Sequence, residues 1–305
     1  MPRHARIDAP GALHHIISRG LERREIFRDA GDCDDFLHRL GKIVQESHTR
    51  CYAWGLIPNH FHLLLKTGDV PVSTVMRRLL TGYAGNFNRR HQRAGHLFQN
   101  RYKSILCQED AYLAELVRYI HLNPLRAGIV KTLDELDGYR YCGHASLMGN
   151  SPFDWQETES VLRLFSERVS VARQNYRSFV EKGMNQGRRP DLTGGGLVRS
   201  AGGWRAVEAL RKARTHQKSD ERILGDGDFV DEVLAKANER LQQQYALAAK
   251  GIGFDHLARV VSGLTGIPMH VIAGVGKERQ SVRARSLLCF WGARELGLPL
   301  TDLAG

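Results

Sequence analysis

Pro58-Asn59-His60-Phe61-His62-Leu63-Leu64-Leu65 decides the reading of this chain. Its apolar run reads as a strand, and a strand sends alternate side chains to opposite faces, so His60 and His62 point the same way. Two imidazoles on one face can fill two positions around a divalent metal. The plainer account is a pair of half-buried strand histidines. The shared face and the apolar continuation favour ligands. Cys51 to Ile57 reads as the preceding strand, punctuated by Pro58-Asn59 and hairpin-paired with Phe61 to Lys66.

Further along, Leu116-Val117-Arg118-Tyr119-Ile120-His121-Leu122-Asn123-Pro124 reads as a helix that ends before a proline. Tyr119 and Asn123 stand at i and i+4 and share a face. Tyr119 is the candidate nucleophile, because a phenol can attack phosphorus and hold a DNA end as a phosphotyrosine. The competing account is a ring packed in the core, and Tyr112 is a rival nucleophile nearly two turns away. The Asn123 amide oxygen is the candidate third metal ligand, against a simple helix-ending role beside Pro124. His121 points to another face and is not read as a ligand.

The surrounding pattern sets the fold class. Leu13 to Ser18 reads as a strand, Asp32 to Gln45 and Val72 to His91 as helices, and Lys103 to Leu106 as a fourth strand. Gly82 and Gly85 weaken the centre of the second helix. Asp110 is the expected N-cap of a helix from Ala111 to Leu122. The order β-α-β-β-α-β plus one helix is an α+β, ferredoxin-like arrangement with helices on one sheet face. Residues 1–150 form this first domain. Residues 151–203 read as a helix and a Gly-rich linker containing Gly194-Gly195-Gly196 and Gly202-Gly203, and 204–305 as an all-helical domain.

The chain carries a net charge of +11, the footprint of a polyanion binder. Between Val70 and Gln108 there is no Asp or Glu, while Arg77, Arg78, Arg89, Arg90, Arg93, Arg101 and Lys103 fall there among Tyr83, Phe87, Phe98 and Tyr102. Basic side chains beside aromatics suit single-stranded nucleic acid; a solvated basic face is the alternative. The five cysteines, Cys33, Cys51, Cys107, Cys142 and Cys289, form no C-x-x-C and suggest neither a disulfide framework nor a zinc site. With no signal-peptide core and no apolar run able to span a bilayer, a cytoplasmic location without a membrane partner is expected.

Several of these motifs stand in order: Ser18-Arg19-Gly20, Pro58-Asn59-His60-Phe61-His62, Asn88-Arg89-Arg90-His91, Gly95-His96-Leu97-Phe98-Gln99-Asn100-Arg101-Tyr102-Lys103-Ser104, and Arg118-Tyr119-Ile120-His121-Leu122-Asn123-Pro124-Leu125-Arg126-Ala127-Gly128. Together they resemble the REP-associated tyrosine transposases, relatives of the single-tyrosine HUH transposases of small bacterial insertion sequences. The resemblance covers roughly the first half of the chain. It implies metal-dependent cutting and joining of single-stranded DNA near hairpins, with Mg²⁺ or Mn²⁺ on His60 and His62, and Tyr119 as nucleophile. Asn123 stands where insertion-sequence relatives carry a Gln ligand. Relatives of this kind act as monomers or as homodimers.

A second resemblance lies at the C-terminus. Leu264-Thr265-Gly266-Ile267, Gly276-Lys277-Glu278-Arg279, Val282-Arg283-Ala284-Arg285 and Leu298-Pro299-Leu300-Thr301-Asp302 resemble the DNA-binding domain of the bacterial chromosomal replication initiator. In that family a helix-turn-helix follows, and Gly305 falls where its recognition helix would start, so a truncated version is expected. Lys277, Arg279, Arg283 and Arg285 are its candidate phosphate contacts. The reading that unites the chain is a single-strand DNA endonuclease and strand transferase working through a 5′-phosphotyrosine. Its rivals are a catalytically inactive DNA-binding regulator on the same fold and, third, an RNA-binding protein, for which no aromatic RNP-type strand is present.

Overall fold

The computed structural model describes residues 7–8, 11–151, 153–187, 189–193, 220–236, 247, 250–274, 276, 278–296 and 298. The chain divides into two compact units, Met1–Asp231 and Glu232–Gly305. The glycine clusters read as a linker, and Lys277, lie outside the described residues.

The first unit is built on a five-stranded sheet of β1 (Leu13–Arg19), β2 (Arg50–Ile57), β3 (His60–Lys66), β4 (Lys103–Cys107) and β5 (Ile223–Leu224) in the order β2-β3-β1-β4-β5. The first four strands pair antiparallel and give the expected ferredoxin-like order. β5 adds to the β4 edge in parallel, a strand inside the stretch read as all-helical. A two-residue strand carries too little periodicity to be read from sequence.

Two crossover helices, α1 (Ala30–Glu46) and α2 (Val72–Arg90), cover one sheet face. Phe36, Leu40, Val75, Leu79 and Tyr83 pack there on Ile16, Trp54, Phe61, Leu63 and Leu65. α2 runs unbroken through Gly82 and Gly85. The opposite face is also covered, which corrects the one-faced expectation. α3 (Glu109–His121), α6 (Gly143–Met148) and α8 (Val169–Gly183) enclose Leu13, Ala53, Leu64 and Ile105 with Leu116, Val117, Ile120, Leu147 and Tyr176. The unbroken Leu63-Leu64-Leu65 carries the physical reason: a strand apolar on both sides must be buried on both sides. α4 (Asn123–Arg126), α5 (Leu133–Gly138) and α7 (Glu159–Arg163) complete this layer. In the second unit α9 (Phe254–Thr265), α10 (Met269–Ile272) and α11 (Arg279–Arg294) close around Ala258, Val261, Ile272, Ala284 and Leu288.

The helix expected to reach Leu122 stops at His121, and Asn123 opens α4 with Pro124 in its first turn. Proline brings no N–H for Ile120 to accept and suits the start of a helix, so the break falls here. Close approach of α3 to the sheet depends on Gly55. It pairs across β2–β3 with His62, and a Cβ added to it would meet the Ile120 carbonyl oxygen at 3.2 Å. The absent side chain lets the helix backbone settle beside His62.

Behind α3 lies a buried polar chain. His121 Nδ1 lies 2.7 Å from the Tyr176 hydroxyl, which lies 2.9 Å from His144 Nδ1; His144 Nε2 lies 2.7 Å from Asp137 Oδ1. Arg177 Nε donates to the same carboxylate at 2.7 Å. Burial holds both imidazoles below their ordinary pKa, His121 far below it.

Two outcomes are expected. Gly55→Val suits a strand by propensity but crowds α3, so it should destabilise the protein by about 1–3 kcal/mol; denaturant unfolding showing a stabilised variant would refute the close packing. Because the folded-state pKa values of His121 and His144 are depressed, the unfolded chain takes up protons that the folded chain refuses once pH falls below about 6.5. Stability is therefore complete above that value and should fall on acidification by up to about 1.4 kcal/mol per pH unit for each ring. Urea midpoints that stay level between about pH 7.5 and about pH 5.5 would contradict the buried neutral rings.

Candidate active site

Three elements send side chains to the α3 side of the sheet. β3 supplies His60 and His62, with ring centroids 5.2 Å apart. β1 supplies His15, stacked at 5.2 Å on His62, and Arg19, the cross-strand partner of His60. α3 supplies Tyr119, whose ring stands edge-on at 5.7 Å from His62 and 5.9 Å from His15. Two cavities of about 530 and 430 Å³ share Arg19, His60, Tyr119, Asn123 and Thr193 in their walls. The two-residue period of β3 and the helical period of α3 thus bring together the residues that the sequence singled out. Of the two candidate tyrosines, Tyr119 lines these cavities. Tyr112 packs against the core and lines neither.

The donor set fits a divalent cation. His60 Nδ1 lies 2.6 Å from Asn59 Oδ1 and His62 Nδ1 lies 3.0 Å from His15 Nε2, so in each ring the hydrogen-bonded nitrogen is Nδ1 and Nε2 is left for a ligand. Burial pushes the His60 pKa down to about 4, helped by the Arg19 charge, and holds His62 well below its ordinary value. Neutral imidazoles are the form that binds metal. Asn123 is 8% exposed, and its buried Nδ2 has no hydrogen-bond partner among the described residues. Its side-chain amide lines both cavities with Tyr119 and His60; the amide oxygen is the atom a cation would take, and the unpartnered Nδ2 is a donor suited to an acceptor such as a phosphate oxygen.

Sequence reading missed the residues around this core. His15 could have been found from the register: it lies on β1, diagonal to His62 and on the same face. Arg126 was legible only as part of a motif. Its guanidinium lies 5.2 Å from the centre of the Tyr119 ring, and its Nη1 donates to the Tyr119 carbonyl at 3.2 Å. Its Nε is buried without a hydrogen-bond partner among the described residues, and burial lowers its pKa. A half-desolvated cation of this kind is poised for an anion. Arg19, Arg23 and Arg189 line the larger cavity with it.

The basic residues expected to bind nucleic acid separate in space. Arg101 and Lys103 line the smaller cavity with His60, His62 and Tyr119. Arg77, Arg78, Arg89 and Arg90 ride on α2, across the sheet from the histidines, and Arg93 follows that helix. Arg78 pairs with Glu46, and Arg90 with Asp29 and Asp32. A segment empty of acids in sequence therefore meets acids of α1 in three dimensions. Asp29, Asp32 and His91 hold ligand-type atoms within 4.8 Å of one another. Arg90 and His91 already bond these carboxylates, so the cluster is internally satisfied. In the second unit Arg279 and Arg283 are exposed, whereas Arg285 donates to the carbonyls of Gly274 and Gly276. Among the described residues no helix is long and apolar enough to cross a membrane, and all five cysteines are free thiols.

Residues 10–123 match the family described as IS200-like transposases. Among solved structures, a REP-associated tyrosine transposase bound to a REP hairpin aligns with 16% identity over 52% of this chain and 98% of its own, at a TM-score of 0.41. A transposase candidate of Deinococcus radiodurans R1 aligns with 19% identity over 39% of this chain and 94% of its own, at a TM-score of 0.28. Comparison with curated proteins gives no match.

Proposed function

We propose that this chain, whose residues 10–123 match the IS200-like transposase family, cuts and rejoins DNA at single-stranded or hairpin sites through a tyrosine-linked intermediate. The observation that carries this reading is the meeting of His60, His62 and Tyr119, from β3 and α3, in the wall of the smaller cavity. The resemblance of the motifs around these residues supports the choice of a single-stranded or hairpin substrate.

His60, His62 and Asn123 would hold Mg²⁺ or Mn²⁺. When bound, the cation withdraws charge from an oxygen of the scissile phosphate. Arg126, with Arg19, gives the larger cavity a positive wall that draws the phosphate to Tyr119. The phenolic oxygen of Tyr119 attacks phosphorus. An O–P bond to tyrosine forms as the P–O3′ bond breaks, the phenol proton leaves to solvent, and the departing O3′ takes a proton from solvent. The products are a 5′-phosphotyrosine and a free 3′-OH. One phosphodiester has replaced another, so a second 3′-OH can reverse the step without an energy source. Because attacking group and phosphate are held in one cavity, positioning supplies much of the acceleration.

The test is a denaturation-resistant adduct with labelled hairpin DNA and Mn²⁺. Tyr119→Phe should abolish it while binding persists, and His60→Ala should abolish its dependence on the metal. An adduct that survives in Tyr119→Phe, or hairpin binding across several sequences and metals with no adduct, would refute the proposal. A second outcome concerns the DNA path. Replacing Arg101 and Lys103 with alanine should weaken single-strand binding and lower its salt slope by about 0.7 for each phosphate left without a neutralising cation. A binding titration in which Arg77→Ala and Arg89→Ala lower the slope more would move the path to α2.

A further inference from the structure

His62 can offer a metal only the nitrogen that carries no proton, and the surroundings decide which nitrogen that is. The chain of hydrogen bonds behind it has one consistent solution. Leu192 contributes a carbonyl oxygen 3.0 Å from His15 Nδ1. A carbonyl only accepts, so His15 carries its proton on Nδ1. His15 is completely buried, and among the described residues its ring nitrogens meet the Leu192 carbonyl and His62 and no carboxylate; a buried ring with no counter-charge is neutral, so its Nε2 is a bare lone pair. That lone pair lies 3.0 Å from His62 Nδ1, which must therefore donate. A buried imidazole that donates from Nδ1 and faces no counter-charge keeps Nε2 unprotonated.

We propose that His15, anchored by the Leu192 carbonyl, is a positioning residue that fixes His62 in the Nδ1–H form and so presents Nε2 to the metal. The inference rests on the reading of His60 and His62 as ligands and extends it to residues outside the His-x-His pair. The two rings stack with an interplanar angle of 26°, so His15 sets the tilt of His62 as well as its tautomer. Asn59 does the same for His60, since its amide oxygen accepts from His60 Nδ1 at 2.6 Å. Each ligand thus has a hydrogen-bond partner of its own, one from the adjacent turn and one from the neighbouring strand. Outer partners of this type usually hold metal affinity up by 10–100-fold, roughly. Leu192 is 2% exposed and packs in the α3-side core, so the anchor is a fixed part of the unit.

The first test reads the tautomer directly. In ¹⁵N-histidine-labelled metal-free protein, long-range ¹H–¹⁵N correlation spectra report which ring nitrogen is protonated, and His62→Ala identifies the His62 signals. A protonated Nδ1 and bare Nε2 are expected. Free neutral histidine favours the opposite form, and finding that form at His62 would overturn the inference. The second test is Mn²⁺ affinity, read by electron paramagnetic resonance. His15→Leu keeps the apolar volume and removes the acceptor; it should weaken Mn²⁺ binding about 10–100-fold. His15→Gln, whose amide oxygen can accept from His62, should restore most of it. Unchanged affinity in His15→Leu, with His62→Ala losing the metal, would overturn the role of His15 alone. Unchanged affinity in His62→Ala would overturn the metal reading beneath it.

Discussion

A strand must send successive side chains to opposite faces, and in β3 that rule divides one heptapeptide between two tasks. Phe61, Leu63 and Leu65 enter the core beneath α1 and α2, while His60 and His62 face α3. A shift of register by one residue would bury both imidazoles among leucines and turn three apolar side chains toward the cavities. The register that the apolar core enforces is therefore the register that makes the site, so site geometry and stability rest on the same packing. Gly55 extends this link. Its missing side chain, directly opposite His62, lets α3 come close enough for the Tyr119 ring to meet His62 and His15.

Charge is divided as strictly as shape. His15 and His62 are buried and His60 half-buried, and all three imidazoles are held below their ordinary pKa, so they offer lone pairs and do not repel a cation. The positive charge comes from arginines, which cannot give up their protons. Arg19 and Arg126 flank the site, and Arg126 reaches it half-desolvated. A site with bare nitrogens at its centre and guanidinium groups on its walls matches a phosphate that must be held by cations on two sides. This arrangement also separates the cavity-lining charge from the arginines of α2. Two of those, Arg78 and Arg90, bond acids of α1 and brace the helix layer.

Much of this was legible in the sequence, for reasons that can be named. His60, His62 and Tyr119 were readable because strand and helix periods fix faces locally, and the element order gave the sheet. The second helix layer was foreshadowed by Leu63-Leu64-Leu65, whose unbroken apolarity requires cover on both sides. Other features depend on pairing between distant segments. His15 becomes a partner of His62 only once β1 pairs with β3, and Leu192 only once its turn docks on the sheet. The basic reading of residues 70–108 failed to anticipate Asp29, Asp32 and Glu46, which lie far away in sequence and adjacent in space. Strand β5 was too short to carry any period at all.

Everything proposed for the site depends on Tyr119 supplying the oxygen of a covalent protein–DNA bond beside His60 and His62. Trypsin cutting after Arg118 and Arg126 isolates Tyr119-Ile120-His121-Leu122-Asn123-Pro124-Leu125-Arg126 as one peptide. Mass spectrometry of the adduct trapped with Mn²⁺ and hairpin DNA, after nuclease and trypsin digestion, should find a nucleotide attached through phosphate to Tyr119 in that peptide. A nucleotide found on another residue, or a complex that dissolves into unmodified peptides, would contradict it.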